Sequence, residues 1–166
     1  SNIFETETKI KQIIDELKAL SAQAGLANKG EEERIITSVF LYKFLNDKFM
    51  YNLSKFAEEI GETIEEILKN ENDELDAFYD TTSGDVAFGY EDTIQYLINH
   101  VEQADFYKQF DDALVRIAQN TRNDIFAVET AEGSYRPLFE AISTPVEPSN
   151  RNNFAKNIFG IIAQDK

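Results

Sequence analysis

Few residues in this chain are of a type that could do chemistry, and their spacing seldom supports it. A single histidine, His100, follows Asn99. One imidazole cannot build a histidine metal cluster, and the lack of cysteine removes thiolate ligands, thiol nucleophiles and disulfides together. As a general base His100 would need a serine or threonine nucleophile, and no motif marks one. A structural or solvent-exposed role is expected. Carboxylates abound, at 31 Asp and Glu. Glu58/Glu62 and Glu62/Glu66 stand at i,i+4, which places each pair on one helix face. A helical di-metal centre would add Glu-x-x-His, but Leu97 occupies the position three before His100. Residues 73–85 lack the alternating oxygen ligands, central glycine and terminal glutamate of a calcium loop. Gly84 and Gly89 have the gap of a phosphate loop, but Tyr90 and Glu91 stand where Lys and Ser/Thr are needed. No catalytic, cofactor-binding or metal-ligating residue is assigned.

The scaffold is easier to read. At 166 residues and 42% hydrophobic content, the chain suits one domain with a real core. No apolar run approaches the ~18–20 residues of a membrane span, and no basic-then-apolar signal segment opens the chain. The expected setting is cytoplasmic, without a membrane. The net charge of −15 is uneven. Residues 58–80 hold ten acids and one base, Lys69, whereas residues 116–166 hold six of each sign. Such a field repels nucleic acid within a Debye length, about 8 Å at physiological salt. Any DNA contact must therefore come from a locally neutral or basic face. The acidic stretch is expected to be a solvated helix face plus loop, with a docking surface for a basic partner as the alternative.

Helical periodicity dominates. Ile10, Ile13, Ile14, Leu17 and Leu20 line one face of a first helix over residues 6–23, stopped by Gly25 and the segment 27–30. Glu31, Glu32 and Glu33 open a second helix at its positive dipole end. Between Ile35 and Phe56, 13 of 22 residues are apolar, too many for one narrow stripe, so this helix belongs at the centre of the domain. Gly61 is its expected stop. Thr63 and Glu66 have capping-box spacing for a short third helix. Residues 70–80 read as a polar segment anchored by Leu75, Phe78 and Tyr79, and 81–89 as a loop. Helical spacing resumes at Ile94, Leu97, Ile98 and Val101, and again at Phe106, Phe110, Ala113, Leu114 and Ile117. Residues 125–128 fit either a helix turn or a strand of a small ribbon. Pro137 is placed to open a short helix through Ile142. Residues 144–151, with Pro145 and Pro148, read as a linker-like loop. Phe154, Ile158, Ile161 and Ile162 then define a C-terminal helix. The expected fold is an all-α, orthogonal multi-helix bundle with a small β-ribbon near 125–135. Its helical domain spans 1–143, and the last helix spans 152–166. The 20 aromatic residues (13 Phe, 7 Tyr) lie mostly at helix-period positions and are expected in the core.

The second helix also carries a resemblance. The segment EERIITSVFLYKFLNDKF, through Val39, Phe40, Leu41, Lys43, Phe44, Leu45, Asn46, Asp47 and Phe49, resembles a helix in the N-terminal domain of type I restriction–modification methyltransferase (M) subunits. The first helix is similar to the amphipathic helix that precedes it there. The resemblance implies a non-catalytic helical domain that assists DNA engagement and assembly with the specificity subunit, the restriction subunit and another M subunit. The methyltransferase domain of that family follows the helical domain. It uses S-adenosylmethionine to methylate adenine N6, through a glycine-rich loop and an Asn-Pro-Pro-Tyr/Phe motif. Neither motif occurs here, and Pro137, Pro145 and Pro148 are never adjacent. The resemblance therefore implies no cofactor within these residues, and a last helix that leads toward a methyltransferase domain beyond them. Asn46 stands where serine is common in the family, and segment 81–89 has no counterpart.

On charge grounds, Lys43, Arg116, Arg122, Arg136, Arg151 and Lys156 are the candidate DNA contacts. They would position phosphate without reading sequence. Asn46, Asp47, Glu62 and Glu66 are the candidate partner contacts. The alternative reading is a free-standing acidic helical module that binds a basic protein or mimics DNA.

Overall fold

The computed structural model describes residues 3–27, 30–70, 73–126, 128–129, 133 and 135–164. Side chains at 125, 128, 129, 135 and 136 lie outside the described set, as do residues 28 and 29 of the expected first stop. The fold is all-α. Its helices are α1 (Ile3–Gln23), α2 (Gly30–Ile60), α3 (Ile64–Asn70), α4 (Asp73–Thr81), α5 (Ile94–Leu97), α6 (Phe106–Gln119) and α7 (Arg151–Ile162). Short 3-10 turns at Tyr90–Asp92, Ile98–His100, Thr121–Phe126 and Pro148–Asn150 join them. The small ribbon is two residues a side, β1 (Val128–Glu129) antiparallel to β2 (Tyr135–Arg136), with Val128 opposite Arg136.

α2 organises the bundle. Ile35, Ile36, Val39, Tyr42, Asn46, Phe49, Leu53 and Ala57 are buried at three- and four-residue spacing. α1 and α7 pack on it, and α7 also packs on α1 and α6, so the last helix belongs to the same core as the first. The aromatics interlock there. The Tyr42 ring lies 5.3 Å from Phe110 and 5.9 Å from Phe88, Phe49 lies 5.1 Å from Phe88, and Phe106 lies 5.2 Å from Phe159. α2 is nevertheless not covered all round. Phe44 and Tyr51, seven residues apart, stay 60% and 59% exposed on the side away from the buried stripe. α1 is covered only toward its C-terminal end, where Leu17 and Ser21 are buried while Ile3, Phe4 and Ile10 are exposed.

The helix ends follow local chemistry. Gly25 (φ +80°) and Gly61 (φ +74°) take the left-handed conformation that ends α1 and α2. Thr63 caps α3: its Oγ1 accepts the Glu66 N–H at 3.1 Å and donates to Glu66 Oε1 at 3.0 Å.

Three expectations are corrected. Most of 70–80 is α4 rather than a polar segment, because Leu75 and Phe78 share a helix face that the core buries. The run through Val101 is not one helix. α5 lasts four residues and tightens to 3-10 geometry, leaving Ile98 41% exposed. Residues 137–142 are not helical. Phe139 and Ile142 still reach the core, but the Ile142 and Ser143 amides donate to Asp111 Oδ1 at 2.9 and 3.2 Å instead of to a helix turn. Residues 144–151, the Pro-containing linker-like loop, are held by local contacts. Val146 is buried, and Arg151 donates to the carbonyls of Val146 and Thr144, both at 3.0 Å.

Candidate functional site

A polar network joins α2 to the segment before α6. Asn46 is fully buried, and its Oδ1 accepts the Ile94 N–H at 2.9 Å, an orphan donor of the first turn of α5. Its Nδ2 donates to Gln95 Oε1 at 3.2 Å and Asp47 Oδ1 at 3.3 Å. Asp47 Oδ2 in turn pairs with Lys43 at 3.0 Å. One turn earlier the Tyr42 hydroxyl donates to the Asp92 carbonyl at 2.8 Å. Burial, then the charges of Asp92 and Asp47, push that phenol well above its ordinary range, which keeps it a donor.

Asp92 closes the network. Its Oδ1 accepts Arg116 Nε at 2.8 Å and its Oδ2 accepts the Gly89 N–H at 3.1 Å. Burial pushes its carboxyl up, and Arg116 and the Gly89 amide only partly offset this. Residues from α2, the 89–95 segment and α6 thus meet, although they lie up to 74 positions apart (42 to 116). Asn46, a candidate partner contact from the sequence, is buried here, with its amide used within the fold.

The other predicted contacts fall as follows. Arg122 lies between Asp76 (3.3 Å) and Asp80 (3.6 Å), its guanidinium 4.7 Å from the Tyr79 ring centroid. Lys156 pairs with Glu102 at 3.0 Å, and Arg151 holds the 144–146 carbonyls. Arg136 contributes backbone to the ribbon, and its side chain lies outside the described residues. The five described cations sit on α2, α6, α7 and the turn after α6, each engaged by acceptors of its own chain. Asp47 and Glu66 are exposed. Glu62 is half-buried and hydrogen-bonds the Glu74 carboxyl, which raises its proton affinity.

A cleft of about 380 Å³ opens beside the network. Met50, Ile64 and Leu68 form its apolar floor, and Tyr90, Tyr96 and His100 its aromatic wall. The Tyr90 and Tyr96 rings meet edge to face at 5.1 Å, and His100 stacks on Tyr96 at 4.3 Å. His100 is therefore a packing partner at the cleft edge. Tyr90 Oη lies 3.5 Å from Glu65 Oε1 and Tyr96 Oη lies 3.5 Å from Glu91 Oε1. Burial and then Glu91 raise the Tyr96 phenol, so it too stays a donor.

Sequence reasoning missed four buried polar anchors: Tyr42, Asp92, Asp111 and Asn123. Asn123 clamps Ala87 on both sides, accepting its N–H at 2.8 Å and donating to its carbonyl at 2.9 Å. The sequence carries little signal for them: Tyr42 counts among the apolar residues of α2, Asn123 stands in the polar run 120–124, and Asp111 is followed by Asp112. Among the described residues no group of three or more His, Asp or Glu converges as a metal site, and no helix is long and apolar enough to cross a membrane. No protein-family model, curated protein or solved structure matches the chain.

Proposed function

We propose that these residues form the non-catalytic N-terminal domain of a cytoplasmic type I restriction–modification methyltransferase subunit. The domain assists DNA engagement and assembly with the specificity and restriction subunits, while a following domain methylates adenine N6 with S-adenosylmethionine. One observation carries the reading. Of the α2 positions that bear the resemblance, Val39 and Phe49 are core, and Asn46 with Asp47 and Lys43 anchors α5, while Phe44 stays exposed. The test is the gene itself, followed by reconstitution. The reading frame after Lys166 should enter a glycine-rich loop and an Asn-Pro-Pro-Tyr/Phe motif. The complete protein with its specificity subunit should methylate adenine, and deletion of residues 1–164 should abolish complex formation. A frame that continues without those motifs removes this reading.

A second reading is favoured by charge. The five described cationic candidates are paired with acceptors of their own chain, while Glu58, Glu59, Glu65, Glu66, Asp73, Asp76 and Asp80 are exposed. A free-standing acidic module would bind a basic partner through this surface. Charge reversal at Glu58, Glu59 and Glu66 together should then abolish that binding, and unchanged binding would exclude the module.

A further inference from the structure

We propose that the cleft between α2, α3 and α5 is a receptor for an arginine side chain presented by a protein partner. The molecule already builds such a site once, with its own arginine. Arg122 lies 4.7 Å from the Tyr79 ring centroid with Asp76 and Asp80 at its guanidinium nitrogens. The cleft repeats those parts without an arginine. Tyr90 and Tyr96 supply the aromatic surface, Glu65 supplies a carboxylate from the lining, and Glu91, outside the lining but 3.5 Å from the Tyr96 hydroxyl, supplies a second at the margin.

A cation already stands at the edge. Lys69 Nζ lies 5.7 Å from the Tyr90 centroid and 3.1 Å from Glu65 Oε1, with its side chain 57% exposed. Lys69 is not among the residues that line the cleft, and an exposed, flexible ammonium is readily displaced. A planar guanidinium suits the cleft better, since it stacks on an aromatic face and pairs with a carboxylate through two parallel hydrogen bonds. Its alkyl stem can cover the Met50, Ile64 and Leu68 floor. Charge selects the same occupant. The chain carries −15, Glu65 lines the cleft, and exposed Glu66 and Glu91 follow Glu65 and Tyr90 of that lining directly in sequence. A cationic peptide is drawn in, and a phosphate-bearing ligand is repelled. The inference is independent of whether a methyltransferase domain follows.

The test is a titration of the full 166-residue chain with the capped tripeptide Ac-Gly-Arg-Gly-NH2, read by amide chemical shifts. Shifts should concentrate at Glu65, Tyr90, Gln95, Tyr96 and Asn99. The citrulline tripeptide, a neutral isostere, should bind about tenfold more weakly, and Tyr96→Ala should weaken arginine binding by about the same factor. Glu65→Gln, at the exposed rim, should weaken it without altering the helical signal, so loss of binding is separable from loss of fold. Equal binding of the citrulline peptide overturns the proposal. So do shifts spread evenly along the acidic helices and untouched by either variant, and so does free L-arginine binding as tightly as the capped peptide, which would make the cleft a small-molecule site.

Discussion

Single buried polar groups decide how the irregular half of the chain is held. Asp111 is the clearest case. Its Oδ1 accepts two amides, from Ile142 and Ser143, in a segment with no helix of its own. Burial pushes its carboxyl above the ordinary value of 3.8, and the two amides only partly oppose that. The folded state therefore holds the Asp111 proton more tightly than the unfolded chain. Its contribution is fullest below the unfolded value and is lost as pH rises through the raised folded value. Asp111→Asn keeps an acceptor for both amides and removes the buried charge. It should match or exceed the parent in urea-measured stability at neutral pH, with a flatter pH dependence from 3.8 upward. Asp111→Ala should instead lose about 1–3 kcal/mol, because buried donors are left unpaired. A loss of that size in the Asn variant at neutral pH would refute the account. Gly89 tests crowding at the same scale. Its φ of −86° is open to any residue, so backbone strain is not at issue. A Cβ there would stand 2.9 Å from Asp92 Oδ2, an oxygen on a carboxylate already gripped by Arg116. Gly89→Ala should destabilise by about 1–3 kcal/mol in denaturant melts. Unchanged stability would show that the Asp92 carboxylate is free to move.

At the scale of elements, legibility followed hydrophobic period. α1, α2, α6 and α7 stand where apolar spacing places them, because each sustains three or more turns of pattern. α4 was hidden because Leu75 and Phe78 are its only fully buried side chains among many acids. The 137–142 segment was misleading because Phe139 and Ile142 have helical spacing but serve an irregular strap held by Asp111. α5 shows the limit most sharply. Four residues are too few to nucleate in isolation, since a first turn fixes several residues for a single hydrogen bond. Its first turn is held by its cap Thr93, whose Oγ1 accepts the Tyr96 N–H, and by Asn46, 48 positions away from Ile94 in sequence. Sequence spacing offers no sign of such a pairing, so the sequence alone leaves Asn46 a candidate partner contact and gives no sign of the cleft beside α5. Asn46→Ala removes the acceptor of a buried amide and should lose about 1–3 kcal/mol. The loss should be local first. Hydrogen exchange at Ile94 should accelerate well before exchange in α6. Uniform acceleration across α6 and α7 would instead mean that Asn46 supports the whole core.

At the scale of the molecule, a largely apolar, aromatic-rich interior is set against a surface of one dominant sign. Two salt effects compete. The surface ion pairs, such as Lys156–Glu102 with its glutamate 82% exposed, stabilise by about 0–1 kcal/mol each and weaken with salt. Repulsion within a net −15 acts the other way and is relieved by salt. Repulsion should win, because 31 acids face only 16 bases and most acids in 58–80 have no cation within their own stretch. The Debye length falls from about 30 Å at 0.01 M salt to about 8 Å at 0.15 M, so repulsion between separated exposed acids is screened over that range. The melting temperature should therefore rise over that range by about 2–4 °C, the shift that ~1 kcal/mol produces in a domain of this size. Glu58→Lys bears on the same balance. It removes an acid from the last turn of α2, where no base now stands, and places a cation at the negative end of the helix dipole, one turn from Glu62. That variant should melt higher than the parent at low salt, and its advantage should shrink as salt is added. A melting temperature that falls with salt in the parent would mean that the ion pairs, and not the acidic surface, dominate the electrostatics of the fold.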